Sequence, residues 1–296
     1  MSGNTTEGAV SAHYTRGDLA ATVESALRDR GLDPAHVTVE QLAPLDHFHS
    51  FGVAGSQELA RAMGIAAGDR VLDVGGGIGG PARMLASQIG CAVTVLDLTP
   101  EFCQVGEMLT AWTHLSDRVA FVCGSALAMP FDDASFDAAW TVHAAMNIED
   151  KPRLYAEIHR VLRPGGRFAL FDITAGPNPP VLYPAPWADT PATSFLLPPD
   201  ELRALVAGAG FRELSWAQGA ELVRTIRSIQ QPLTDAAGVS GINTALLPGA
   251  AGPQNAGGEI NINVLMGALG PERIQNATRN TQEGRTLIAM GVFERV

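Results

Sequence analysis

Arg70-Val71-Leu72-Asp73-Val74-Gly75-Gly76-Gly77-Ile78-Gly79-Gly80 is the stretch on which the fold turns. Val71, Leu72 and Val74 predict a buried strand, and the glycines demand a tight turn straight off its end. A helix is expected from Pro81 through Ala86, its N-terminus presenting unpaired N–H groups to whatever lies in the turn. A second strand, Ala92-Val93-Thr94-Val95-Leu96, ends on Asp97. A carboxylate at that strand tip is placed to accept hydrogen bonds from both hydroxyls of a ribose. Together these features describe a site for a nucleoside-containing cofactor.

The glycines satisfy two spacings at once. Gly75, Gly77 and Gly80 fit the dinucleotide pattern G-x-G-x-x-G, and Gly75, Gly77 and Gly79 fit the G-x-G-x-G of S-adenosylmethionine enzymes. The motif by itself leaves both open.

Composition narrows the class. The chain has 296 residues, 46% of them hydrophobic, enough for a substantial core. Its net charge of −11, with Lys151 the single lysine, argues against nucleic acid, where neutralising phosphate supplies much of the affinity. No apolar run approaches the roughly 20 residues of a membrane helix, and the polar Met1–Glu7 start lacks the form of a signal peptide. A cytoplasmic protein with no membrane or nucleic-acid partner is expected. Cys91, Cys103 and Cys123 have no metal-ligand spacing and read as buried free thiols; no metal is expected.

Outward from the glycine turn, strands and helices alternate from Arg70 to Trp216 in the manner of a doubly wound sheet. Strands are expected at Val119–Cys123, Phe136–Trp140, Arg167–Ile173 and from Phe211, with helices over Pro100–Trp112, Asp150–Leu162 and Pro199–Ala209. Pro164-Gly165-Gly166 should end the helix before the fifth strand. Upstream, Asp18 can cap a helix burying Leu19, Val23 and Leu27, Leu42–Gly52 reads as irregular, and Ser56–Met63 reads as helix. Downstream, Gln231–Gly258 is rich in Gly, Ala, Pro and Asn and reads as a mobile segment, and helix is expected to return between Glu259 and Ala277. Thr286–Phe293 reads as a late antiparallel strand. The organisation is therefore a helical cap (1–66), a cofactor-binding core (67–217), and a covering insertion with the final strand (218–296).

Four stretches resemble the class I S-adenosylmethionine-dependent methyltransferases, in the small-molecule branch of ubiquinone, sterol and glycine/sarcosine methyltransferases. They are Val71–Gly80, Met129–Asp137, Glu157–Gly166 and Asp200–Phe211. Nicotinamide enzymes resemble only the first. A subgroup is also similar through Leu42–His49, Tyr183–Trp187 and Asn280–Arg285. The resemblance implies an α/β, Rossmann-like, doubly wound seven-stranded sheet with an N-terminal helical cover. It implies S-adenosyl-L-methionine as cofactor and transfer of its methyl to the N, O or C of a small metabolite, in biosynthesis. An enzyme of the same fold that uses the cofactor as scaffold for a cyclisation is the alternative. A homodimer is possible.

The resemblance also assigns candidate residues. Gly75 and Gly77 let the backbone pass beside the cofactor's methionine part, Asp97 holds its ribose, Leu98 lies against its adenine, and Asp73 and Ala126 are further cofactor-binding residues. The family usually places an acid after residue 124 for the adenine amine; here Ser125 stands there, able to accept one hydrogen bond. Tyr14 resembles tyrosines that close over the cofactor. His143, just past the fourth strand, is expected either as general base or as a cofactor contact, its type suited by an unperturbed pKa of about 6.5. His49 is a second candidate base, and Asn147 a group that orients the acceptor. Phe48, Tyr183 and Trp187 are expected to line the acceptor pocket. Asp132, Asp133 and Asp137 read as a solvated turn, and Asp150 as a helix cap.

Overall fold

The computed structural model of the chain describes residues 5–237 and 269–296. Seven strands form one sheet in the order β3-β2-β1-β4-β5-β7-β6. They are β1 (Arg70–Val74), β2 (Ala92–Asp97), β3 (Val119–Cys123), β4 (Phe136–Val142), β5 (Leu162–Ala175), β6 (Phe211–Gln218) and β7 (Thr286–Arg295). β1 to β5 run parallel, and β7 inserts antiparallel between β5 and β6. This is the expected α/β sheet, with the late antiparallel strand in place.

Continuous apolar runs make these strands because both faces are covered. On one face α4 (Gly52–Met63), α5 (Gly80–Met84) and α9 (Gly219–Ala237) bury Leu59, Met84 and Ile226 against Val71, Trp140 and Phe171. On the other, α7 (Lys151–Val161) and α8 (Pro199–Gly208) bury Leu154, Ile158 and Val206 against Leu72 and Phe168. A third cluster joins α2 (Leu19–Arg28) and α3 (Val39–Asp46) to α6 (Pro100–Trp112) through Leu19, Leu27, Leu42 and Leu109. α1 (Thr5–Tyr14) lies ahead of these, and α10 (Gly270–Gln282) precedes β7.

Several local expectations are corrected. Leu42–Asp46 is helical as the end of α3, started by a Thr38–Gln41 capping box. Asp18 occupies the N-cap of α2 but makes no capping bond; Glu101 accepts from the backbone N–H groups of Arg16 and Leu19 instead. α4 starts at Gly52, four residues earlier than read. Pro164–Gly166 lies within the span of β5, where the pairing with β4 jumps from Phe136↔Leu162 to Ala138↔Arg167. Asp137 is no turn solvator, since it receives Arg70 and Arg163. Cys123 is exposed, at the C-terminal end of the edge strand β3. Gln231–Ala237 continues α9, while the remainder of the segment expected to be mobile, and 259–268 of the expected helix, fall outside the described residues. Asp150 does cap α7, accepting from the Arg153 N–H at 3.0 Å.

No described helix is long and apolar enough to cross a membrane. Among the described residues, no group of three His, Cys, Asp or Glu side chains could hold a metal.

Candidate active site

The parallel strands carry their C-terminal ends to one edge, and a cavity of about 190 Å³ opens there. A single buried water needs only ~10–15 Å³, so this space has room for a ligand. The cavity is bounded by the ends of β1, β2 and β4, by α1, and by the segment around Trp187.

At the β1 turn the sequence leaves no choice of residue. Gly75 has φ +73°, and a Cβ there would sit 2.4 Å from that of Ala144. At Gly80 a Cβ would fall 2.3 Å from the Asp46 carbonyl oxygen. Bare backbone is therefore what allows the turn to close beneath the cavity. The Asp73 carboxyl lies under that turn against Gly76, one oxygen without a partner among the described residues, and burial pushes it up to about 7. Asp73 also reaches the cavity wall.

Asp97 ends β2 at the cavity. One oxygen accepts the Gly77 N–H at 2.8 Å, and the other the Thr99 N–H at 2.9 Å. Burial raises its pKa, and those N–H groups pull it back. The Thr99 side chain and the Leu98 N–H also hydrogen-bond to it, so several donors fix the carboxylate at the cavity edge. Leu98 and Ala126 flank this end of the cavity.

Ser125 departs from its expected place. It is not in the cavity wall: its hydroxyl donates to the Glu7 carboxylate from α1 and accepts the Leu127 N–H at 3.0 Å. Glu7 itself lines the cavity. No sequence signal pointed to it, because 118 residues separate the pair.

At the other end stand His49, His143 and Asn147. His143 has φ +51°, a conformation non-glycine residues rarely take, held by its N–H donating to the Phe171 carbonyl at 2.7 Å. Burial, reinforced by the His49 ring 5.9 Å away, holds its pKa well below 6.5, and its Nε2 is buried without a partner among the described residues. It is a neutral imidazole facing the cavity.

His49 is differently placed. Its Nδ1–H donates to the Ser50 carbonyl at 3.0 Å, so its Nε2 accepts the Ser56 hydroxyl at 2.9 Å. Both nitrogens are engaged, which leaves no basic lone pair for a substrate and counts against the expected role as base. His47 continues the chain at 3.3 Å from the same hydroxyl. Burial pushes both His47 and His49 down to about 3.

Asn147 is fully engaged as well. Its Oδ1 accepts the Tyr14 hydroxyl at 3.0 Å, and its Nδ2 donates to the Trp187 and Thr193 carbonyls, both at 2.8 Å. It ties α1 and the Trp187 segment to the loop after β4. Phe48 and Trp187 line the cavity, whereas Tyr183 packs behind it with Met146 and Trp187.

A group that the sequence did not single out fixes the His143 loop. Lys151 donates to the carbonyls of Ala145 at 2.6 Å and Ile148 at 2.9 Å. Asp172 accepts from the N–H groups of Ala145 and Met146. Burial lowers the Lys151 amine to about 8 and raises Asp172 to about 7.

Residues 72–170 match the family model of the methyltransferase domain. Over 114 residues the chain is 40% identical to a sterol 24-C-methyltransferase of Eremothecium gossypii, covering 38% of this chain and 31% of that protein. It is 34% identical over 129 residues to the methyltransferase GfsG of Streptomyces halstedii, covering 44% of this chain and 46% of that one. The chain thus spans less than half the length of these curated relatives. Among solved structures it superposes on the geranyl diphosphate C-methyltransferase of Streptomyces coelicolor A3(2), crystallised with S-adenosyl-L-homocysteine. The TM-score is 0.65 at 16% identity, with 100% of this chain and 99% of that chain covered. At that identity the likeness is one of fold.

Proposed function

On the premise that this chain carries a class I methyltransferase domain, we propose that it transfers a methyl group from S-adenosyl-L-methionine to a small, uncharged, largely apolar acceptor. The observation that carries this is the joining, in one cavity, of the Asp97–Gly77 cradle to a pocket with a neutral imidazole. The residues fit the cofactor. Asp97 presents a fixed carboxylate to the ribose hydroxyls, the bare backbone of Gly75 and Gly77 admits the methionine part, and Leu98 and Ala126 offer apolar surface to the base. Bound there, the cofactor supplies an electrophilic methyl on a sulfonium.

The chain's own contribution is then chiefly positional. Holding the acceptor in line can supply about 7–11 kcal/mol of the barrier. Phe48, Trp187 and Met146 present apolar surface for this, and Tyr14–Asn147 fastens α1 across the opening. Where the acceptor must lose a proton, we assign its removal to the His143 imidazole, which lines the cavity and is held neutral by burial. No Lys or Arg stands among the described cavity residues, so a phosphorylated acceptor would find no counter-charge. We assign the covering roles to 1–66 and 218–296 and the cofactor to 67–217.

Incubation with a methyl-labelled donor and panels of neutral hydroxyl, amine and activated-carbon acceptors tests the proposal. Label is expected in an apolar product. Cofactor binding without transfer to any class would favour a scaffold role such as cyclisation. Asp97→Ala should weaken S-adenosylhomocysteine binding by about 1.5–3 kcal/mol, the scale of hydrogen bonds to a charged group.

A further inference from the structure

We propose that Glu7 of α1 recognises the exocyclic amine of the cofactor's purine, so that the helix covering the site also supplies its base specificity. This rests on the proposed cofactor. Once Asp97 is committed to the ribose, the base must lie past Leu98 among Gly124, Ala126 and Leu127, beneath Thr6, Glu7 and Val10. An amine there requires an acceptor. Ser125 does not face it: its hydroxyl is turned to Glu7 and the Leu127 N–H, and the residue stands outside the cavity wall. The Leu127 N–H is spent on the same contact.

Glu7 brings a carboxylate into this end of the cavity. The Ser125 hydroxyl holds one of its oxygens, which fixes the side chain and turns the second into an available acceptor. A second carboxylate, Glu149, also reaches the wall, but it is exposed and accepts the Thr6 hydroxyl at 3.1 Å. It serves as the control. Because the acceptor sits on α1 and not on the sheet, reading the base and covering the site become one event.

Calorimetry with S-adenosylhomocysteine and its 6-deaminated inosyl counterpart tests this, with helix content checked by circular dichroism. The parent protein is expected to bind the adenosyl compound at least tenfold more tightly than the inosyl one. Glu7→Gln should lose about tenfold or more for the adenosyl compound alone, the scale of a charge-assisted hydrogen bond. Glu149→Gln should bind both as the parent does. Ser125→Ala, which frees the Glu7 carboxylate without removing it, should lose less than Glu7→Gln. Parental discrimination in Glu7→Gln, or its loss in Glu149→Gln instead, overturns the assignment while leaving the cofactor proposal standing. Absence of any binding by the parent protein overturns both.

Discussion

Tyr14 and Asn147 lie 133 residues apart in sequence and are joined by a 3.0 Å hydrogen bond from the phenol to the amide oxygen. Burial raises the Tyr14 pKa, so the phenol remains a donor throughout the ordinary working range. One contact therefore couples the N-terminal helix to the loop that carries His143.

Tyr14→Phe leaves the Asn147 oxygen unpaired and should cost about 0.5–1.5 kcal/mol of stability, while Asn147→Ala, which also strands two carbonyls, should cost about 1–3 kcal/mol. A double-mutant cycle by urea unfolding is expected to give coupling of about 0.5 kcal/mol or more. Strict additivity would mean that the pair does not act as a latch.

Removing the His143 imidazole separates the two roles expected of it. As a base it should cost about 10²–10⁴-fold in turnover when replaced by Ala, with S-adenosylhomocysteine affinity kept. Its pKa lies well below 6.5, so the parent rate should show no histidine limb between about pH 6 and 8. A loss under tenfold would leave it a packing residue.

His49 makes stability depend on pH. Its folded pKa is about 3 against 6.5 for the free side chain, so only the unfolded chain takes up its proton as pH falls between those values. Stability is then lost below 6.5 by about 1.4 kcal/mol per pH unit, or about 2 kcal/mol by pH 5. Asp73 and Asp172, raised from 3.8 to about 7, act in the opposite sense over much of this interval, because the folded state keeps protons that the unfolded state releases. The parent curve alone would hide the effect. The difference between the parent and His49→Gln should nonetheless shift by about 2 kcal/mol from pH 7 to 5. A pH-independent difference would place a charged histidine in the folded protein.

Lys151 offers the sharpest structural test. Lys151→Met removes the donor to the Ala145 and Ile148 carbonyls and leaves Asp172 without its nearby positive charge. Unfolding should become easier by about 1–3 kcal/mol, the cost of stranding buried carbonyls. Because the loop bears His143, turnover should fall more than cofactor affinity, and Lys151→Arg should fail to restore it, the larger guanidinium having no space at a 4% exposed site. Parental turnover in Lys151→Met would remove the clamp from the account.

The glycine turn and the carboxylate beside it were legible because their physics is local. Only glycine tolerates the turn after β1, and a carboxylate on the tip of β2 follows from counting along a strand. The histidines were visible as residue types, but their roles were not. His49 differs from His143 only through the Ser50 carbonyl and the Ser56 hydroxyl, which fix its tautomer and occupy both nitrogens. Ser125 was placed by family position, and a carboxylate from α1 drew it away from the cavity wall.

Sequence alone set the parallel sheet, its closing antiparallel strand, and the glycine turn and Asp97 at the carboxyl ends of β1 and β2, because apolar periodicity and backbone sterics act over a few neighbouring residues. Tertiary structure alone decided which polar groups remain available for chemistry. Asn147 is spent on Tyr14, Trp187 and Thr193, and Lys151 on two loop carbonyls, whereas the His143 Nε2 has no partner among the described residues. Hydrogen-bond commitment depends on groups brought together from distant parts of the chain, and burial then sets which of them carry charge.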